Sequence, residues 1–429
     1  MADEIIRLMC PGVDRMGNQA DVAVIGAGVV GLATARALHE RDPDLSLVVL
    51  EKENAVAAHQ SGHNSGVVHS GVYYRPGSLK ARLCLEGRAA LIDFATREGI
   101  RCQRIGKVIV ASRPEEVPEL STIEERARAN GVSDVRRLSP GELETRLPEV
   151  VGVAAVEVPS AAIIDYPGVA RRLMDLLKAE GVDARLSSGV RSAVRRDGGW
   201  DLDTPTGEVA ARYVINCGGL ESDLLAEMMG VRSPVSIVPF RGDFYHLSER
   251  LRPRIPCLVY PVPDPDVPFL GVHLTPTVEG ELLAGPNAAL ALSREGYRGG
   301  QWTAAQLTRM ALFPGTVGLA RRYGMYAARE WLKSWSPAEF LSAIRRLWPA
   351  VEENDLISRS SGVRAQAVRP DGSLEDDFVL VRGPQSLHVL NAPSPAATAA
   401  FAIGRRVADE ANFRRGAVST GPAGSGQRS

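Results

Sequence analysis

Three glycines, Gly26, Gly28 and Gly31, close an apolar run that begins at Asp21, and an acid, Glu51, stands twenty residues past the last of them. A G-x-G-x-x-G turn of this kind lets backbone meet a pyrophosphate. Gly26 permits the tight turn, Gly28 the close approach and Gly31 the packing of helix on strand. The helix that follows offers unpaired N–H groups and a positive dipole end to the phosphates. A carboxylate at Glu51 accepts hydrogen bonds from ribose hydroxyls and disfavours a 2′-phosphate, so the residues point to FAD or NAD and away from NADP.

The elements that must hold these groups follow the apolar periodicity. Leu47 to Leu50 reads as the second parallel strand of a βαβ unit, delivering Glu51 to its carboxyl end. Leu79 to Glu98, Pro114 to Asn130, Tyr166 to Gly181 and much of 301–349 read as helices, and Ser139-Pro-Gly-Glu142 as a helix start with a capping box. Lys107 to Ala111, short segments between Ala184 and Leu202, Arg212 to Gly219, 235–275 and 376–391 read as strands. Ser394-Pro395 is expected to open a final helix with proline at its first position. The layout predicts an α/β chain: a discontinuous Rossmann-like nucleotide domain from 19–90, 160–234 and 355–412, with an inserted α+β substrate domain from 91–159 and 235–354 built on an antiparallel sheet.

Bulk properties narrow the partners. The chain has 429 residues, 45% of them hydrophobic, enough for a large core in two or three domains, and its net charge of −1 argues against nucleic acid. Its five cysteines are scattered without a C-x-x-C pair, which suits a reducing compartment and gives no zinc or other metal site. Val22 to Ala35 is too short to span a bilayer, and residues 1–20 lack the apolar core of a signal peptide. Residues 1–18 are expected to be a flexible extension and 413–429, rich in Gly, Ser and Arg, a disordered tail. The expected location is the cytoplasm, with peripheral contact at the inner membrane left open.

Longer motifs carry a resemblance. His59-Gln-Ser-Gly-His-Asn-Ser-Gly-Val-Val-His69-Ser-Gly-Val-Tyr-Tyr74, Tyr260-Pro-Val-Pro-Asp-Pro, Phe269-Leu-Gly-Val-His273, Gly285-Pro-Asn-Ala, Arg294-Glu-Gly-Tyr297, Ser361-Gly-Val-Arg364-Ala-Gln-Ala and Asn391-Ala-Pro-Ser-Pro-Ala-Ala-Thr398 resemble the L-2-hydroxyglutarate oxidase and dehydrogenase family, within the D-amino-acid-oxidase-like group. The likeness runs from about Asp21 to Asp409. It implies FAD as cofactor and oxidation of L-2-hydroxyglutarate to 2-oxoglutarate. Beyond the glycines and Glu51, it implies flavin contacts at Val29, Val30, Lys52, Ser61, His63, Asn64, Ser65, Val190, Cys217, Gly218, Gly362, Arg364, Pro395, Ala396, Ala397 and Thr398.

Oxidising a 2-hydroxy acid needs a hydride acceptor, a base for the hydroxyl proton and cations for the carboxylates. His273 is the favoured base, because imidazole titrates near neutrality and its segment reads as a strand of the substrate domain. His69 is its rival, or else a group touching the flavin or a covalent attachment point, while His59 and His63 are expected by the pyrophosphate or the isoalloxazine edge. Arg364, with Arg241 second, is expected to pair with a substrate carboxylate, and Tyr74 and Tyr260 to donate hydroxyls to it. The final helix is expected to aim its amino terminus at the flavin. Alternatives of the same chemistry are another 2-hydroxy acid, glycerol 3-phosphate or an amino acid. An NAD-dependent dehydrogenase or a non-catalytic nucleotide binder would differ in class, and in colour. The electron acceptor, oxygen, a quinone or a carrier protein, stays open.

Overall fold

The computed structural model describes residues 19–264 and 269–413. The expectations for the extreme termini fall outside them. Strand Ala20–Ile25 runs parallel to Leu47–Leu50 on one side, with Val22 opposite Leu47, and to Val209–Asn216 on the other, with Ala20 opposite Ala211. Both strands of the first unit are nearly continuous apolar runs because both faces of the sheet are buried, Val22, Val24, Leu47 and Val49 against helices and Ala23, Ile25, Val48 and Leu50 against Trp200, Leu202, Leu225 and Met229. Helix Val29–Arg41 starts directly at Gly28 and packs on helix Ala400–Ala411. A Cβ on Gly404 would fall 2.5 Å from the Ala33 backbone, so that glycine sets how closely the two helices approach.

The first sheet has eight strands. Asp183–Arg185 lies beyond Leu47–Leu50, the hairpin Ser192–Arg196 and Gly199–Asp203 lies beyond Val209–Asn216, and Ser386–Asn391 returns late in the chain to pair in parallel with Val209–Asn216. A small three-stranded sheet, Val67–Val68, Ala162–Ile164 and Cys102–Arg104, flanks it. Helix Tyr166–Ala179 buries Tyr166, Val169, Leu173 and Leu177 in the core under these sheets.

The second sheet has nine strands, antiparallel except where Leu258–Pro261 runs parallel to Lys107–Ala111. Its spine is the long ladder of Ser236–Leu247 against Leu356–Val368, with Ser236 opposite Val368 and Phe240 opposite Arg364. This ladder corrects the expected domain boundary. Residues 356–368 belong to the second sheet, because their backbone hydrogen bonds go to Ser236–Leu247, and the chain re-enters the first sheet only at Val379–Gly383 and Ser386–Asn391.

The helical stretch 301–349 divides into Ala304–Leu312, Pro314–Trp335 and Pro337–Arg345. Each break falls before a proline, whose ring forces the preceding residue out of helical backbone, and Phe313 and Ser336 are accordingly extended, with ψ of 117° and 107°. The capping box at Ser139 and Glu142 is present as expected. The final helix is not: it starts at Ala400, with no side-chain cap. Residues 393–396 instead close a turn, in which Ala396 N–H donates to the Pro393 carbonyl, and Ser394 Oγ lies 3.4 Å from His69 Nε2 rather than capping a helix.

Candidate active site

Between the two sheets lies a cavity of about 1390 Å³. Every residue singled out from the sequence for cofactor or catalysis lines it except Arg241. At one end is the glycine turn. Gly26 has φ of +106°, and a Cβ there would meet the Cys217 carbonyl at 2.5 Å; at Gly31 it would meet the Gly26 carbonyl at 1.9 Å. A Cβ at Gly28 would meet only Ser61 Oγ, at 3.1 Å, so this backbone faces open cavity as phosphate approach requires. No acid occupies the first turn of helix Val29–Arg41, and Ser61 Oγ accepts the Val29 N–H at 3.0 Å.

Glu51 is buried, and its two oxygens accept the Ala27 N–H at 2.7 Å and the Glu53 N–H at 3.0 Å. The carboxylate therefore stiffens the glycine turn while facing the cavity. Cys217, behind the turn, is a buried thiol pushed up to about 12, so it is neutral. The glycine cradle, the acid at the second strand and a cavity reaching from them to the second sheet fit an FAD molecule.

The opposite wall comes from the second sheet. Register places Tyr260 directly across from His273, because Val259 pairs with Leu274, and Lys107 pairs with Leu258 on the neighbouring strand. Side chains alternate faces along strands, so Lys107, Tyr260 and His273 share one face. The His273 ring stacks on the Tyr260 ring at 3.9 Å and 22°, and Lys107 Nζ sits 4.0 Å from the Tyr260 centroid, which leaves it the other face of the ring. His273 Nδ1 lies 2.9 Å from the Gly271 carbonyl. A carbonyl can only accept, so Nδ1 carries the proton and Nε2 keeps its lone pair. Burial lowers the His273 pKa to about 3; the Gly271 carbonyl opposes this, and the charges of Lys107 and Arg364 reinforce it. Lys107 itself is brought down to about 7 by burial and makes no hydrogen bond or ion pair among the described residues.

Arg364, on the long ladder, faces the same space, its guanidinium 5.3 Å above the Phe269 ring. Among the described residues no carboxylate pairs with it, and burial lowers its pKa. Arg241 is different: its Nε and Nη2 lie 3.0 and 3.2 Å from the Asp243 carboxylate, away from the cavity. The second-choice carboxylate anchor is thus already neutralised. His69 is held well below the usual imidazole range by burial and by the charges of Lys107, His273, Lys80 and Arg364. Its backbone N–H donates to Thr398 Oγ1 at 3.1 Å, and that hydroxyl also meets the Tyr166 hydroxyl at 3.0 Å. Burial also raises the pKa values of Tyr74 and Tyr260, which stay protonated donors.

His59 belongs to a separate cluster. Its Nε2 meets Glu53 at 2.8 Å and its Nδ1 the Tyr297 hydroxyl at 2.8 Å, while Lys52 pairs with Glu53 and Glu295. Glu53, His59 and Glu295 group their ligand atoms within 4.8 Å, but the Lys52 ammonium already supplies a cation there. His63 packs on Tyr297 with ring centroids 4.4 Å apart. Sequence reasoning missed Lys107 as a site residue. Its signal was a lysine heading the otherwise apolar strand Lys-Val-Ile-Val-Ala, where a buried charge needs a reason.

Comparison with known proteins places the chain. The family model described as FAD dependent oxidoreductase matches residues 21–410. A protein named L-2-hydroxyglutarate dehydrogenase from Indibacter alkaliphilus is 41% identical over 389 residues, covering 90% of this chain and 98% of its own. The Escherichia coli K12 protein of that name is 38% identical, covering 90% and 92%, and the human mitochondrial one is 38% identical, covering 95% and 92%. Among solved structures, a reduced L-α-glycerophosphate oxidase from Mycoplasma pneumoniae with FAD bound has a TM-score of 0.75 at 22% identity, covering 92% of this chain and 95% of its own. Glycine oxidase from Geobacillus kaustophilus has a TM-score of 0.68 at 19% identity, covering 94% and 98%. With its glycine cradle, its acid and a cavity walled by two sheets, the chain belongs to the FAD-dependent oxidoreductase family.

Proposed function

We propose that this protein oxidises L-2-hydroxyglutarate to 2-oxoglutarate. The observation that carries this reading is Arg364, a buried guanidinium without an ion pair among the described residues, facing the same cavity as a neutral histidine whose Nε2 keeps its lone pair to accept a proton. The names of relatives at 38–41% identity over most of the chain support the choice of substrate. Bound FAD supplies the acceptor for the hydride that leaves the substrate Cα. Arg364 forms a bidentate pair with one carboxylate. Tyr74 and Tyr260 donate to the carboxylates, and Lys107 adds positive potential through the Tyr260 ring. His273 Nε2 takes the hydroxyl proton as the carbonyl forms.

The reaction is assigned to the cytoplasm, and the four described cysteines, all unpaired, support a reducing compartment. Electrons leave to oxygen or to a quinone, the latter with the protein in peripheral contact with a membrane. The test is anaerobic bleaching of the flavin absorbance by L-2-hydroxyglutarate, beside D-2-hydroxyglutarate, L-lactate and glycerol 3-phosphate. Bleaching by the L-dicarboxylate alone is expected; bleaching only by another of these would overturn the substrate, and a colourless protein the cofactor.

A further inference from the structure

A five-carbon diacid needs more than Arg364. With carbon–carbon bonds of about 1.5 Å, its carboxylates stand about 5 Å apart in an extended chain, too far for one guanidinium fork to grip both. Among the described residues, five Lys and Arg side chains line the cavity: Lys52, Arg75, Lys80, Arg126 and Arg364. Lys52 is engaged by Glu53 and Glu295, and Arg126 lies 3.5 Å from Glu119. Arg75 is exposed, whereas Lys80 is half-buried. Lys80 is therefore the cation left beside Arg364.

Lys80 stands in the first turn of helix Leu79–Arg97, which is capped by the Ser78 hydroxyl accepting the Ala81 N–H at 3.2 Å. That turn holds no acid, so the positive end of the helix dipole and the ammonium repel each other until an anion answers both. The Lys80 Nζ lies 5.4 Å from the centroid of the Tyr74 ring, and among the described residues no carboxylate forms an ion pair with it. Burial lowers the Lys80 pKa, and Asp376 and Asp377, which line the same cavity, oppose this. Placement along the cavity follows from which charges act on which histidine. Lys107 and Arg364 bear on His273, whereas Lys80 joins them in bearing on His69 but does not act on His273. Arg364 thus lies nearer the base than Lys80 does.

We propose that Lys80 determines specificity in this cavity: its ammonium holds the distal carboxylate of the substrate, while Arg364 holds the carboxylate next to the reacting carbon. The assignment rests on the oxidation proposed above, which gives the second carboxylate no cation of its own. A substrate with an uncharged end leaves the ammonium facing the helix dipole unanswered, and this is how a monocarboxylate is refused. Because the charge of Lys80 does not act on His273, its loss should weaken binding and spare proton transfer.

The test compares the Lys80→Met holoenzyme with the parent on ligands that differ only at the distal end. Glutarate and its monoamide carry no hydroxyl to oxidise, so titrating each against the flavin absorbance gives Kd without turnover. Lys80→Met should weaken glutarate by about 10–100-fold, as loss of a charged hydrogen-bond partner does, and leave the monoamide nearly as it was. For L-2-hydroxyglutarate KM should rise by a similar factor with kcat little changed, and Lys80→Arg should recover most of the loss. An equal loss for diacid and monoamide, or none for either, would overturn the assignment, as would a fall in kcat at constant KM. If the Met variant purifies without flavin, Lys80→Gln makes the same comparison. Glutarate binding that depends on Lys80 in a parent that L-2-hydroxyglutarate does not bleach condemns the reaction alone; bleaching of the parent beside a Met variant that binds glutarate equally well condemns Lys80 alone.

Discussion

His273 and Lys107 divide the work at the residue scale. One is a base kept neutral, the other a charge kept close to losing its proton. Replacing His273 with Asn removes the lone pair that accepts the hydroxyl proton, and turnover should fall by about 10²–10⁴-fold. FAD content, read from the absorbance of the purified variant, should not change. The pH profile of kcat/KM carries the second signature. Lys107 is charged below its pKa of about 7 and neutral above it, so the potential that draws a dianion fades as pH rises through that value. An alkaline limb near 7 is therefore expected, and Lys107→Met should remove the limb and leave a lower, flat profile; a limb that survives in the variant would detach Lys107 from it. His273, with a pKa of about 3, should add no acid limb near neutrality. The sequence marks His273 and Arg364 through their motifs, but not the stack, because a cross-strand pairing between residues 260 and 273 depends on register that no local pattern states.

Elements were legible where periodicity was long and punctuation strong. The βαβ unit, helix Leu79–Arg97 and helix Tyr166–Ala179 stand where the pattern puts them, within a residue or two. The last helix did not, because Ser-Pro followed by alanines looks like a helix start, while in the fold Ser394 turns to His69 and residues 393–396 form a turn. The domain boundary failed for a related reason: only the ladder partner shows which sheet residues 356–368 join. The glycine turn gives a prediction at this scale. Gly31→Ala forces a Cβ to 1.9 Å from a backbone carbonyl, so the protein should fold poorly and purify without flavin. Gly28→Ala meets only the Ser61 hydroxyl and should fold, with weakened FAD binding. Thermal unfolding beside flavin content separates the two, and equal behaviour would contradict the steric account.

For the whole molecule, the cavity is walled by both sheets, so a cofactor bound there fastens two cores together. FAD held at about a hundred times its Kd stabilises the folded state by about 2.7 kcal/mol, and in a chain of this size stripping it should lower Tm by about 3 °C. Calorimetry of stripped and reloaded protein measures this directly. Charge has a whole-molecule aspect as well. The chain is nearly neutral overall, yet Lys107, Arg364, His69 and His273 converge on one cavity, and among the described residues no carboxylate pairs with either Lys107 or Arg364. Burial is the main cause that depresses the affinity of His273 for a proton, and the cations that attract a substrate add to it. An arriving dianion cancels them and so strengthens the base that will act on it. Selectivity then has a part in basicity beside fit: L-lactate, with one carboxylate, should leave His273 a poorer proton acceptor and lose some ground in kcat beyond what its weaker binding costs in KM.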